Sequence, residues 1–190
     1  QMLNRICIED GMKLVNIVRK DEHVELLKSQ GATWVVNSSA PTYMADLRAA
    51  IAETGAYLGF DPIGGGQASD GVLKAMEQVA ASQMGEFSRY GSNQQKKMYI
   101  YGRLDLSPTI LTPSYGLQWS IAGWLLTPFL QRAGMETVVR MRNRVQANLT
   151  TTFASHYKAK VTLEGMLEKD AICDYRQMKT GEKYLVTPWG

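Results

Sequence analysis

The chain has 190 residues, 45% of them hydrophobic and 21% charged, with a net charge of +3. That length supports one sizeable core, alone or with a small appendage, and a charge so mild and dispersed gives no motive for nucleic-acid binding. No apolar run approaches the roughly 20 residues of a membrane span, no secretory leader opens the sequence, and Cys7 and Cys173 stand alone, which supplies neither a disulfide framework nor a zinc site, so a cytoplasmic protein without metal is the expectation.

Met2, Leu3, Ile6, Cys7 and Ile8 recur at helical spacing and predict a helix over 1–10 that Gly11 stops. Leu14 to Val18 is apolar and β-branched, as a buried strand requires. Asp21 is placed to cap a helix running to about Gln30, with Val24, Leu26 and Leu27 inward and Gly31 beyond its end. The pattern then repeats. Trp34 to Val36 reads as a strand, 37–41 as a turn, and Tyr43 to Glu53 as a helix with Met44, Leu47, Ala50 and Ile51 on one face.

After Gly55, Tyr57 to Phe60 reads as a strand, followed by Asp61-Pro62-Ile63-Gly64-Gly65-Gly66 and a helix over Val72 to Ala81. Met98 to Tyr101 and Leu117 to Trp124 are further strands. The segment Gly85 to Lys97, carrying Phe87, Arg89 and Tyr90, is either a wall of a substrate mouth or an ordered surface excursion. Thr127 to Thr150 predicts one long helix, with Pro128 tolerated in its first turn and Arg132, Arg140, Arg142 and Arg144 along a basic, solvated face. Two strands, Tyr157 to Val161 and Lys183 to Thr187, flank a helix near Leu163 to Tyr175 and are candidates for a separate sheet.

Short strands alternating with helices of 10 to 15 residues predict an α/β fold with right-handed crossovers and a doubly wound parallel sheet. An all-helical reading of the brief apolar runs is the alternative.

The run 14–20, the helix end Leu26 to Ala32, Val35-Val36-Asn37-Ser38, Phe60 to Gly65, Met98 to Gly102 and the tail Lys179 to Pro188 resemble, in order and spacing, the second to fifth strands and the closing strand of medium-chain dehydrogenases/reductases, as a C-terminal fragment of that family would. The zinc-independent NADPH:quinone oxidoreductase branch fits best. The resemblance implies a Rossmann-like sheet that lacks its first strand, a partial NADP-binding domain over 1–150, and a C-terminal strand-helix-strand over 151–190 that returns to the catalytic, GroES-like domain. The family's central strand and glycine turn would precede Gln1, so the chain is expected to be a fragment, inactive alone, with two half-sheets facing an open slot.

At the end of the second family strand, NAD-specific domains place a carboxylate against the ribose; here Val18 stands there, followed by Arg19 and Lys20. A 2′-phosphate is tolerated and Arg19 can bind it, which favours NADPH; a pair of merely exposed cations would read the same way. Ser38 is either a phosphate donor or a plain turn residue. Asp61, Pro62, Gly64 and Gly65 lie at the carboxyl end of a strand, where open α/β sheets bind ligands, although glycines of a tight turn would look alike. By resemblance, Tyr101 and Gly102 lie near the nicotinamide.

No Ser/His/Asp or Cys/His constellation stands out, and no catalytic residue is assigned: hydride chemistry belongs to the cofactor, and His23 and His156 read as structural or exposed. The acceptor implied is a small quinone. The alternatives are an alkenal or enoyl reductase of the same superfamily, or a non-catalytic NADPH-binding sensor or structural protein. The resemblance further implies a homodimer through the edge of the sixth family strand, here Leu117 to Trp124; Trp119, Trp124 and Phe129 suit an interface or an ordinary core equally.

Overall fold

The computed structural model describes residues 1–177 and 183–189. They divide into two compact units, Gln1–Val138 and Val139–Gly190. The element order is α1 (Met2–Glu9), β1 (Val15–Val18), α2 (Asp21–Ser29), β2 (Trp34–Asn37), α3 (Tyr43–Thr54), β3 (Leu58–Asp61), α4 (Ala68–Ser82), β4 (Lys96–Ile100), β5 (Trp119–Gly123), α5 (Leu126–Ala133), α6 (Met135–Ala147), β6 (Ala159–Val161), α7 (Lys169–Tyr175) and β7 (Tyr184–Val186).

All strand pairs are parallel, which requires a crossover connection of a dozen or more residues between paired strands. In the first unit β1 pairs with β2 in one sheet, and β3, β4 and β5 form a second sheet in that order. The edge of β1 away from β2 and the edge of β3 away from β4 carry no partner strand among the described residues. This is the divided sheet that a Rossmann order without its first strand predicts. One apolar cluster underlies both halves: Val36 of β2 and Met98 of β4 share it with Leu47, Ala50 and Ile51 of α3 and with Val72, Leu73, Ala75, Met76 and Val79 of α4. Leu73 is wholly buried, a placement that stabilises by about 1.5–3 kcal/mol for a leucine side chain.

Several expectations are corrected. Asp21 does not cap α2: Lys20 occupies the N-cap without a side-chain bond, and the Asp21 carboxylate accepts Asn37 Nδ2 at 2.7 Å. Leu27 of that helix is buried, whereas Leu26 faces solvent. The long helix over 127–150 is two helices, α5 and α6. Gly134 separates them with φ 80° and ψ 157°, a backbone region that is essentially glycine's alone. The helix expected over 163–175 is a 3-10 turn at Gly165–Leu167 followed by α7.

In the second unit β6 and β7 pair in a parallel sheet of their own. Lys158 Nζ lies 2.7 Å from Asp174 Oδ2, and the Tyr184 hydroxyl donates to the same oxygen at 2.7 Å, so α7 is tied to β7 and to the residue that precedes β6. Of the tail that resembles the family's closing strand, 179–182 lie outside the described residues.

Candidate functional site

The predicted site residues fall at carboxyl ends of parallel strands, the rim where open α/β sheets bind ligands. On the first half-sheet, Val18 is in register with Asn37, and the Ser38 amide donates to the Val18 carbonyl at 2.7 Å. Arg19, Lys20 and Ser38 are thereby gathered at one strand end. The nearest carboxylates are already engaged: Glu22 receives Lys20 Nζ at 2.9 Å, and Asp21 receives Asn37. Arg19 is exposed and makes no ion pair among the described residues.

On the second half-sheet the two predicted segments meet. Asp61 is buried, and its carboxylate accepts the Ile63 amide at 2.7 Å, the Gly64 amide at 3.2 Å and the Ser69 hydroxyl at 2.6 Å. That side chain shapes the turn from β3 into α4. The Tyr101 amide donates to the Asp61 carbonyl at 3.0 Å, and the Asp105 amide donates to the Ile63 carbonyl at the same distance. Gly64 has φ +80°, and a Cβ there would stand 2.7 Å from the Gly102 carbonyl; one on Gly102 would stand 2.5 Å from the Pro62 carbonyl, and one on Gly65 2.7 Å from Asp105 Cγ. The glycines let one loop close on the other. Pro62 and Gly102 remain half-exposed and Tyr101 is exposed, whereas Gly64 and Gly65 are buried beneath the second loop.

Next to Tyr101 and Gly102 lies an open cleft of about 550 Å³. It is bounded by the ends of β4 and β5, by Trp124, and by one face of α5 carrying Pro128 and Arg132. The Trp124 amide donates to the Ile100 carbonyl at 2.8 Å, and its ring packs on Phe129 at 5.5 Å between centroids.

The segment over 85–97 is not at this rim. It follows the C-terminus of α4 and runs into the first residues of β4, so it occupies the opposite, amino end of the parallel strands and takes no part in a mouth at the carboxyl ends. Its root is held by a network that sequence reasoning missed. Lys96, fully buried, places Nζ 2.5 Å from Glu77 Oε2, 3.0 Å from Ser92 Oγ and 2.8 Å from the Gln94 carbonyl. The Ser92 amide and hydroxyl donate to Glu77 as well. Burial opposes the Glu77 charge, but these donors outweigh it and hold the carboxyl below its usual range.

A second network pins the connector between β4 and β5 to the first turn of α4. Asp70 accepts from Lys74 at 2.8 Å, from the Thr112 amide and hydroxyl at 2.8 and 2.7 Å, and from the buried Tyr115 hydroxyl. Burial again opposes ionisation, and the donors Lys74, Tyr115 and Thr112 prevail, holding Asp70 far below the ordinary carboxylate range. The phenol of Tyr115 is pushed up by burial and by that same carboxylate. The one sequence signal for either network was a pair of acids seven residues apart on a largely apolar helix face, which calls for buried partners.

No family model and no curated protein matches the chain. Solved structures do. A Mesorhizobium loti protein proposed to be an NADPH:quinone reductase superposes with a TM-score of 0.75 at 23% identity over 98% of this chain and 49% of its own. The mitochondrial 2-enoyl thioester reductase Etr1p/Etr2p heterodimer of Candida tropicalis gives 0.66 at 19% identity, over 97% of this chain and 49% of that one. An Etr1p complex with NADP and crotonyl-CoA gives 0.55 at 18% identity, over 91% and 46%. The chain has the fold of these medium-chain reductases. It spans about half the length of the structures it matches.

Proposed function

We propose that the chain is the nucleotide-binding part of an NADPH-dependent reductase that passes hydride to a small quinone or activated alkene. The observation that carries this reading is the carboxyl end of β1, where Val18 stands in place of the carboxylate of NAD-specific domains, the Ser38 amide bonds the Val18 carbonyl, and Arg19 follows with no ion pair among the described residues. Lys20 offsets the Glu22 charge at this strand end, and Asp21 is tied to the Asn37 amide, so the attraction for a 2′-phosphate comes from Arg19, whose guanidinium can hold it with two parallel bonds.

When bound, NADPH supplies the hydride; a solvent proton completes the reduction, and NADP⁺ leaves. The residues of this chain bind and orient. Arg19 and the Ser38 hydroxyl hold the adenosine phosphate, and Lys20, shared with Glu22, adds positive field. Asp61, Gly64 and Gly65 act by fixing the turn, on which Pro62, Tyr101 and Gly102 present backbone and ring to the nicotinamide end. No side chain of the chain is given an acid-base role.

Both quinone and enoyl reductases occur among proteins of this fold, and both acceptors use the same hydride. The outer edge of β5, which has no strand partner among the described residues, supports a homodimer with a sheet continuous across a two-fold axis. The natural protein in this reading is cytoplasmic. The test is turnover: the natural polypeptide incubated with NADPH and either naphthoquinone or a crotonyl thioester oxidises the cofactor stoichiometrically with the acceptor. Tight NADPH binding with no hydride loss to either acceptor class would replace the reductase with a non-catalytic binder.

A further inference from the structure

The break at Gly134 separates Arg132 from the basic row on α6 and places it in the cleft beside Tyr101. Arg132 lies one turn after Pro128 on the same face of α5, and Arg103, in the loop after β4, lines the same cleft. No acidic residue lines the space. Asp105 is in electrostatic reach of Arg103 and already accepts the Ser107 amide at 2.8 Å, while Arg103 Nη2 donates to the Leu106 carbonyl at 3.4 Å. Arg132 makes no ion pair among the described residues. The rest of the lining is largely apolar, with Trp124, Leu125 and Ile100 among it.

A neutral quinone needs the apolar lining and has no use for two cations. Two arginines lining one open, largely apolar cleft match a flat acceptor with a carboxylate, phosphate or sulfonate at its edge. We infer that this cleft selects an anionic acceptor, with Arg132 and Arg103 holding the acid group while the reducible ring or double bond lies against Trp124. The inference rests on the reductase reading above and adds the charge of the acceptor to it. The anion can sit on the reacting skeleton itself or on a phosphate-bearing carrier joined to it as a thioester. The cleft chemistry is the same for both.

Binding to the full chain is measured by calorimetry at low salt, without cofactor and with saturating NADP⁺. The probes are naphthoquinone, naphthoquinone sulfonate, crotonyl-CoA and the neutral crotonyl thioester of N-acetylcysteamine. At least one anionic probe is expected to bind about tenfold or more tightly than its neutral counterpart, the preference fading as salt is raised. Preference for the sulfonate places the anion on the skeleton, and preference confined to the coenzyme A thioester places it on a carrier. Arg132→Gln abolishes the preference and Arg132→Lys retains part of it, while NADP⁺ affinity is unchanged in both.

Equal affinity for charged and neutral probes, or a preference that survives Arg132→Gln, overturns the inference. So does competitive displacement of the anionic probe by NADP⁺, which would assign the arginines to a cofactor phosphate. Loss of NADP⁺ binding alongside an intact, Arg132-dependent anion preference would sink the cofactor assignment alone and leave the cleft as described.

Discussion

Gly102 lies against Pro62 so closely that a Cβ on Gly102 would stand 2.5 Å from the Pro62 carbonyl oxygen. Both atoms in conflict are fixed by backbone, because the Asp61 carbonyl and the Ile63 carbonyl on either side accept amides of the second loop. Gly102→Ala is therefore expected to cost about 1–3 kcal/mol through overpacking. Gly71→Ala is the control: it sits within α4 with open space around the new methyl, and it should stabilise by about 0.5–1 kcal/mol. Urea unfolding of the two variants should move in opposite directions.

Lys96 has no contact with solvent and Glu77 almost none. Lys96→Met removes one charge and leaves the other buried, at a cost of about 3–5 kcal/mol. The double variant Lys96→Met with Glu77→Leu should recover more than half of that loss, because two apolar side chains then fill the same space. A double variant as unstable as the single one would show that Ser92 and the Gln94 carbonyl, rather than the stranded carboxylate, set the cost.

Asp70 and Glu77 both have carboxyl groups held below their usual range in the folded chain. The unfolded state therefore binds protons at a higher pH than the native state does. Their contribution is complete above the ordinary carboxylate range, near pH 4, and is lost progressively as pH falls through that range toward the lower folded values. Stability measured by chemical unfolding should be flat from neutrality to about pH 5 and fall below it, with a smaller fall in Asp70→Asn. An identical acid slope in that variant would contradict the role given to Asp70.

The two half-sheets predict uneven protection from amide exchange. β4 is flanked by β3 and β5, whereas β1 and β3 each have one open edge among the described residues. Amides of Lys96–Ile100 should exchange at least about tenfold more slowly than those of Val15–Val18. Equal protection along β1 and β4 would mean that the open edge of β1 is covered in solution.

What the sequence revealed follows from which forces leave a local trace. α3 was legible because Met44, Leu47, Ala50 and Ile51 repeat at helical spacing and are the residues that become buried or packed. The strand ends carrying Arg19, Ser38, Asp61 and Tyr101 were legible from alternation and from the order of resembling segments. The α5–α6 break was not, because a lone glycine inside an amphipathic run is compatible with an unbroken helix. The position of 85–97 at the far end of the strands depends on crossover topology, which no single segment encodes. Lys96 next to Lys97 looks like an exposed pair, and its burial becomes visible only once Glu77 and Ser92 are brought beside it.

The affinities of NADPH and NADH for the wild-type protein and for Arg19→Ala test the assignment of the 2′-phosphate most directly. If Arg19 holds that phosphate, NADPH binds tighter than NADH by about tenfold or more, equivalent to about 1.4 kcal/mol, and Arg19→Ala brings the two within about twofold while leaving NADH unchanged. Wild-type affinities already within about twofold of each other, or a preference untouched by Arg19→Ala, would contradict it.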